Sequence, residues 1–122
     1  MRRVREPFPA SAPALAAAAA AAADAGHVEA VREAVRYGRT RLAQSLTDLG
    51  LRPHPGQGNF VWAQTRQGGT ALTAALRRAG VLIRDGTGFG VPDHVRITVG
   101  TPEETGILLA AARRVLGELE AP

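Results

Sequence analysis

The segment His94-Val95-Arg96-Ile97-Thr98-Val99 alternates cleanly between aliphatic and polar residues, and this run constrains the fold more tightly than any other in the 122-residue chain. A β-strand turns successive side chains to opposite faces. Val95, Ile97 and Val99 therefore share one face, and His94, Arg96 and Thr98 share the other. A strand of this kind needs strand neighbours and a covering layer on its apolar face. The residues just beyond it are equally directive: Thr101-Pro102-Glu103-Glu104 has the form of a capping box with proline at the first helical position. It predicts a final helix running to about Glu118.

The remaining elements can be read outward from that strand. Residues 1–11 form an extended, proline-punctuated arm, because proline fixes φ and biases its predecessor toward extended geometry. Ser11 is placed to cap a helix whose first turn tolerates Pro13. Eight consecutive alanines, Ala16 to Ala23, favour helix strongly. A helix this smooth suits very close packing or a position beneath another domain. Asp24-Ala25-Gly26 breaks the pattern. A long helix is then predicted from about His27 to Leu49, because Val28, Val35, Leu42 and Leu49 recur every seven residues with Val31 and Leu46 filling the stripe. Gly50 closes it as a left-handed cap. The opposite side carries Glu29, Arg32, Glu33, Arg36, Arg39 and Arg41, which read as a solvated face. Residues 52–58 read as a loop, Asn59–Ala63 as a strand, and Gly68-Gly69 as a turn. Thr70 is expected to cap a helix through Ala79, closed by Gly80, and Val81–Arg84 reads as a second strand. Gly86, Gly88 and Gly90 open a loop with two readings, a flexible closure over a small ligand or a plain turn.

The order is helix, helix, strand, helix, strand, strand, helix. The expected class is α/β in the two-layer α+β sense: a single domain with a small three-stranded mixed sheet, a split βαβ unit. Its third strand lies between the first two and antiparallel to them. Helices, including the long N-terminal one, cover one face. The other face, bearing Arg96, is left in need of a partner.

Composition excludes several chemistries. All fifteen basic residues are arginine, against 11 acidic ones, for a net charge of +4. With no lysine, the chain offers no amine for a Schiff base or a P-loop. With no cysteine, it offers no disulfide, thiolate nucleophile or cysteine metal cage. Its longest apolar run, Leu15 to Ala23, falls short of the roughly 20 residues a membrane span needs, and a cytoplasmic location is expected. His27, His54 and His94 show no ligand spacing, so no metal site is expected. Glu103 and Glu104 are explained by helix capping and the helix dipole. The Gly86–Gly90 run follows a strand, but Val91 and Pro92 stand where a dinucleotide-binding fingerprint would have glycine and a helix start.

Arg84 and Arg96 are the informative pair. Each interrupts a short aliphatic strand, and a planar guanidinium fork suits a carboxylate or phosphate. Ordinary salt bridges or snorkelling side chains are the alternative reading.

The stretch Arg84-Asp85-Gly86-Thr87-Gly88-Phe89-Gly90, together with Val95-Arg96-Ile97-Thr98-Val99-Gly100-Thr101-Pro102-Glu103-Glu104, resembles the C-terminal small domain of histidinol-phosphate aminotransferases. These are class I/II, fold-type I pyridoxal-phosphate (PLP) enzymes. Gly56-Gln57-Gly58-Asn59-Phe60-Val61 is similar to that family's approach to a strand, and Val4-Arg5-Glu6-Pro7-Phe8 resembles the arm leaving its large domain. The resemblance implies that Arg96 grips a substrate α-carboxylate, that Arg84 helps bind a substrate phosphate, and that Asn59 supports and orients. It implies PLP as cofactor of the parent enzyme, an anionic amino-acid phosphate substrate, a PLP-binding large domain as partner, and a homodimer. Threonine-phosphate decarboxylases and other class I/II aminotransferases share parts of the pattern. The family's PLP lysine has no counterpart in this chain, so the chain alone is expected to bind no PLP and to catalyse no transamination. Two other readings are a small basic nucleic-acid-binding domain, suggested by a pI near 11.2 and by Arg2, Arg3 and Arg5, and an interaction domain using the Arg96 face.

Overall fold

The computed structural model describes residues 9–120, without the Glu120 side chain. Most of the expected arm, and the Val4–Phe8 motif, lie outside the described residues. The chain forms two compact units, residues 1–33 and 34–122.

The first unit holds α1 (Ala12–Ala23) and the opening of α2 (Ala25–Asp48). Ser11 caps α1 as expected: it is extended, and its hydroxyl accepts the Ala14 N–H at 3.4 Å, with Pro13 in the first turn. The break is narrower than the sequence suggested. Asp24 alone separates the helices, because its carboxylate accepts the His27 N–H at 2.9 Å and starts α2 at once. No residue of α1 is buried within this chain.

The second unit carries the core. Here α2 ends in a Schellman cap, with Gly50 at φ 82°, its N–H on the Thr47 carbonyl and the Leu51 N–H on that of Leu46. Gly80 closes α3 (Gly69–Arg78) in the same way at φ 83°, with Val81 bonded back to Leu76. The capping box forms in full at the start of α4 (Pro102–Glu120): the Thr101 N–H donates to Glu104 Oε2 at 2.8 Å, and the Glu104 N–H to Thr101 Oγ1 at 3.2 Å.

The two-layer α/β class holds, but the sheet has four strands in the order β1-β2-β4-β3, and every pairing is antiparallel. The expected count of three and the mixed character are corrected accordingly. The added strand is β1 (Arg52–His54), where a loop was expected. It is an edge strand, where Pro53 is tolerated because a proline there has no ladder N–H to supply. The expected placement of the last strand is correct: β4 (His94–Thr98) lies between β2 (Phe60–Gln64) and β3 (Arg84–Asp85). The expected strand at Val81–Arg84 pairs only at Arg84 and Asp85, because the Val81 N–H is committed to closing α3.

Val61, Ala63, Val95 and Ile97 on one sheet face are buried against Leu42 and Leu46 of α2, Leu72, Ala75 and Leu76 of α3, and Leu108, Ala112, Val115 and Leu116 of α4. The alternation read in β4 therefore sorts its residues as expected. Among the described residues no helix is long and apolar enough to cross a membrane.

Candidate functional site

The uncovered sheet face holds the functional candidates. The registers His54↔Trp62, Trp62↔Arg96 and Arg96↔Arg84 place four side chains in one row across all four strands. Arg84 and Arg96 are direct cross-strand partners. Like charges in that relation destabilise a sheet, and the structure offers them little local relief. Neither guanidinium makes an ion pair with a described carboxylate. Each lies over an aromatic ring instead: Arg96 Cζ is 5.4 Å from the Phe60 centroid, and Arg84 Cζ is 5.6 Å from that of Phe89. Such contacts orient a cation but leave its fork of N–H donors open. Arg96 is half-buried and Arg84 exposed.

The rings continue the layer. Phe89 meets Trp62 edge-on at 5.7 Å, and Trp62 lies 5.8 Å from His94 at an interplanar angle of 20°. The loop that carries Phe89 is built as a fixed turn. Thr87–Phe89 forms one 3-10 turn; Asp85 Oδ1 accepts the Thr87 N–H at 2.7 Å, and Asp85 Oδ2 accepts the Thr70 hydroxyl at 2.7 Å. The backbone bond to Thr87, then those to the Thr70 and Thr87 hydroxyls, hold the Asp85 carboxyl below its ordinary pKa, with the Arg84 charge adding a smaller effect. Thr70 is thus not the cap of α3. Gly68, at φ 83°, takes that place without a side-chain bond, and the Thr70 hydroxyl ties α3 to the loop.

Asn59 is exposed and stands one residue before β2; its carbonyl accepts the Val99 N–H at 2.8 Å, closing the end of the β2–β4 ladder. The loop before it depends on a residue that sequence reasoning assigned to a solvated face. Arg39 Nη1 donates to the Gly58 carbonyl at 2.9 Å and to that of Gln57 at 3.4 Å. No local signal separated Arg39 from the other α2 arginines, because its partners lie 18 and 19 residues away.

A second cluster escaped the sequence. His54 and His94, 40 residues apart, bring their Nε2 atoms to 3.0 Å. His94 Nδ1 is 2.7 Å from Asp93 Oδ1, and Gln64 donates to Asp93 Oδ2 at 2.6 Å. The Gln64 bond, then the His94 bond, lower the Asp93 pKa.

Comparison with known proteins identifies the family of the fold that carries this face. The family model for aminotransferase class I and II matches residues 1–111, and the chain belongs to that family. It is 41% identical over 118 residues to histidinol-phosphate aminotransferase 1 of Nitrosococcus oceani, covering 97% of this chain and 32% of that protein. It is 43% identical over 113 residues to the histidinol-phosphate aminotransferase of Halobacterium salinarum, covering 93% of this chain and 30% of that one. The solved structure of histidinol-phosphate aminotransferase from Sinorhizobium meliloti, in complex with pyridoxal-5'-phosphate, matches with a TM-score of 0.78 and 28% identity, over 97% of this chain and 33% of that one. A variant aspartate aminotransferase of Thermus thermophilus matches with a TM-score of 0.69 and 31% identity, over 78% of this chain and 28% of that one. The chain thus spans about a third of the length of the curated relatives it matches.

PLP is the cofactor of the family. The residues of this chain do not fit it: the chain has no lysine to condense with the PLP aldehyde. What the exposed face offers is two guanidinium groups with open N–H donors.

Proposed function

We propose that this chain is the C-terminal small domain of a cytoplasmic histidinol-phosphate transaminase, and that it supplies the receptors for the anionic ends of the substrates. Arg96 takes the α-carboxylate of the amino or 2-oxo acid. Arg84 takes part in binding the phosphate of the amino-acid phosphate. Asn59, at the end of the same β2–β4 ladder, has a supporting role. The observation that carries this reading is the cross-strand pairing of two arginines on an uncovered face, neither of them ion-paired with a described carboxylate. A bound anion removes their repulsion and uses both donor forks. The large PLP-binding domain, within a homodimer, supplies the cofactor chemistry.

The test joins this chain to a large domain from a close relative and measures steady-state kinetics. Arg96→Ala is expected to raise KM for both substrate classes by at least tenfold, the scale of one lost charge-assisted bond. Arg84→Ala is expected to raise KM for the phosphate substrate and to spare a substrate with carboxylates only. Arg113→Ala, on the exposed face of α4, leaves both unchanged. Equal effects of Arg84→Ala and Arg113→Ala would refute the phosphate assignment.

A further inference from the structure

The cluster formed by His54, His94 and Asp93 is not used by anion binding. His54 lies on the outer strand β1 and His94 on β4, and their side chains meet over the intervening β2. Their rings are tilted by 26° with centroids 5.0 Å apart, and their Nε2 atoms come within hydrogen-bond distance. A carboxylate only accepts hydrogen bonds, so Asp93 at 2.7 Å holds the proton of His94 on Nδ1. The His94 Nε2 lone pair then points toward His54 and accepts its Nε2–H. Asp93 is itself fixed by the Gln64 amide at 2.6 Å, and its backbone carbonyl accepts the Thr65 N–H at 2.8 Å. A carboxylate that holds one imidazole nitrogen while the other, here hydrogen-bonded only to His54, turns outward is the outer-shell arrangement of metal-binding histidines.

We propose that His54 and His94 form a chelating pair for a divalent transition ion of the nickel, copper and zinc group. Imidazole suits these ions. Metal–nitrogen bonds of about 2.0–2.1 Å place neighbouring nitrogens about 2.9 Å apart in square-planar coordination and about 3.4 Å apart in tetrahedral coordination. The observed separation of 3.0 Å falls within that range. Among the described residues no group of three or more histidine, cysteine or acidic ligands is assembled, so water completes the coordination. Asp93, engaged by Gln64 and His94, acts as a positioning residue. The bound ion clamps the outer strand β1 to β4, on the face that carries the arginine pair.

The experiment uses the tag-free 122-residue chain and nickel chloride, followed by calorimetry and by the fluorescence of Trp62. Trp62 is the single tryptophan, and its ring is 5.8 Å from that of His94. One saturable equivalent of nickel is expected, with quenching of Trp62. His54→Ala, at an exposed edge position, is expected to weaken binding at least tenfold without loss of fold, as verified by circular dichroism. Asp93→Asn is expected to weaken it about 10–100-fold, the usual cost of an outer-shell change. His27→Ala, in the other unit, leaves the affinity unchanged. Failure of the wild-type chain to bind nickel saturably, or full binding by His54→Ala, would overturn the proposal. So would an equal loss in His27→Ala.

Discussion

The three glycines of the Gly86–Gly90 loop stand in similar sequence surroundings but meet three different physical constraints, which makes them a quantitative test of how Arg84 is held. A Cβ at Gly86 would lie well inside contact distance of the Val91 carbonyl oxygen and 2.6 Å from that of His94. Both are backbone atoms fixed by hydrogen bonds: the His94 carbonyl accepts the Gly86 N–H at 2.8 Å, and the Val91 carbonyl accepts the His94 N–H at 3.1 Å. Gly86→Ala must therefore separate β3 from β4 and lose at least one bond. Overpacking costs about 1–3 kcal/mol and a lost hydrogen bond about 1 kcal/mol, so a loss of about 3 kcal/mol is expected. For a chain of this size that is a fall in Tm of roughly 10 °C or more. Gly90 has φ 78° and open space around it, so Gly90→Ala costs only the left-handed strain, about 1–2 kcal/mol. Gly88 has its nearest neighbour, an Arg84 guanidinium nitrogen, at 3.9 Å and no positive φ, so Gly88→Ala is neutral or stabilising by up to about 1 kcal/mol. Thermal unfolding followed by circular dichroism ranks the three. Trp62 fluorescence reports locally, because Phe89 rests against that ring at 5.7 Å. A Gly86→Ala variant within about 0.5 kcal/mol of wild type, or one no worse than Gly88→Ala, would refute the reasoning, taking ordinary surface substitutions as the yardstick.

Three further outcomes are expected. Leu72, 1% exposed at the centre of α3, should cost about 2–5 kcal/mol when changed to alanine, measured by urea unfolding. Thr101→Ala should cost about 0.5–2 kcal/mol, and the Thr101→Ala, Glu104→Ala double variant should cost less than the sum of the two singles, because each residue caps the other's N–H. Asp85 has a folded pKa below its ordinary value of 3.8, so its stabilisation is present above the unfolded pKa and is lost as pH falls through the folded one. Wild type should therefore exceed Asp85→Asn in urea midpoint at pH 6, and the gap should close in strong acid; a gap constant with pH would contradict the assignment.

The features legible in the sequence are those whose causes lie within one turn or one strand of the residue concerned. The alternation of β4, the caps at Ser11 and Thr101, the left-handed cap at Gly50 and the helix closure at Gly80 are all of this kind, and all form as read. What was hidden depends on partners brought together by the fold. Thr70 looks like a helix cap until Asp85, 15 residues on, takes its hydroxyl. Arg52-Pro53-His54 looks like a loop until β2 offers an edge on which a proline can sit. Arg39 looks like surface charge until the Gly58 carbonyl arrives. Arg84 and Arg96 fall between these cases. Each is visible alone as an arginine in an aliphatic strand, but their juxtaposition exists only through the β3–β4 register. That juxtaposition conflicts with every local preference of a sheet, since like charges directly opposed weaken strand pairing. Elsewhere in the unit the caps and core agree with the fold, the buried Thr73 hydroxyl without a partner aside. A local conflict within an otherwise consistent fold is expected at a binding site, and two guanidiniums resolve theirs when an anion lies between them.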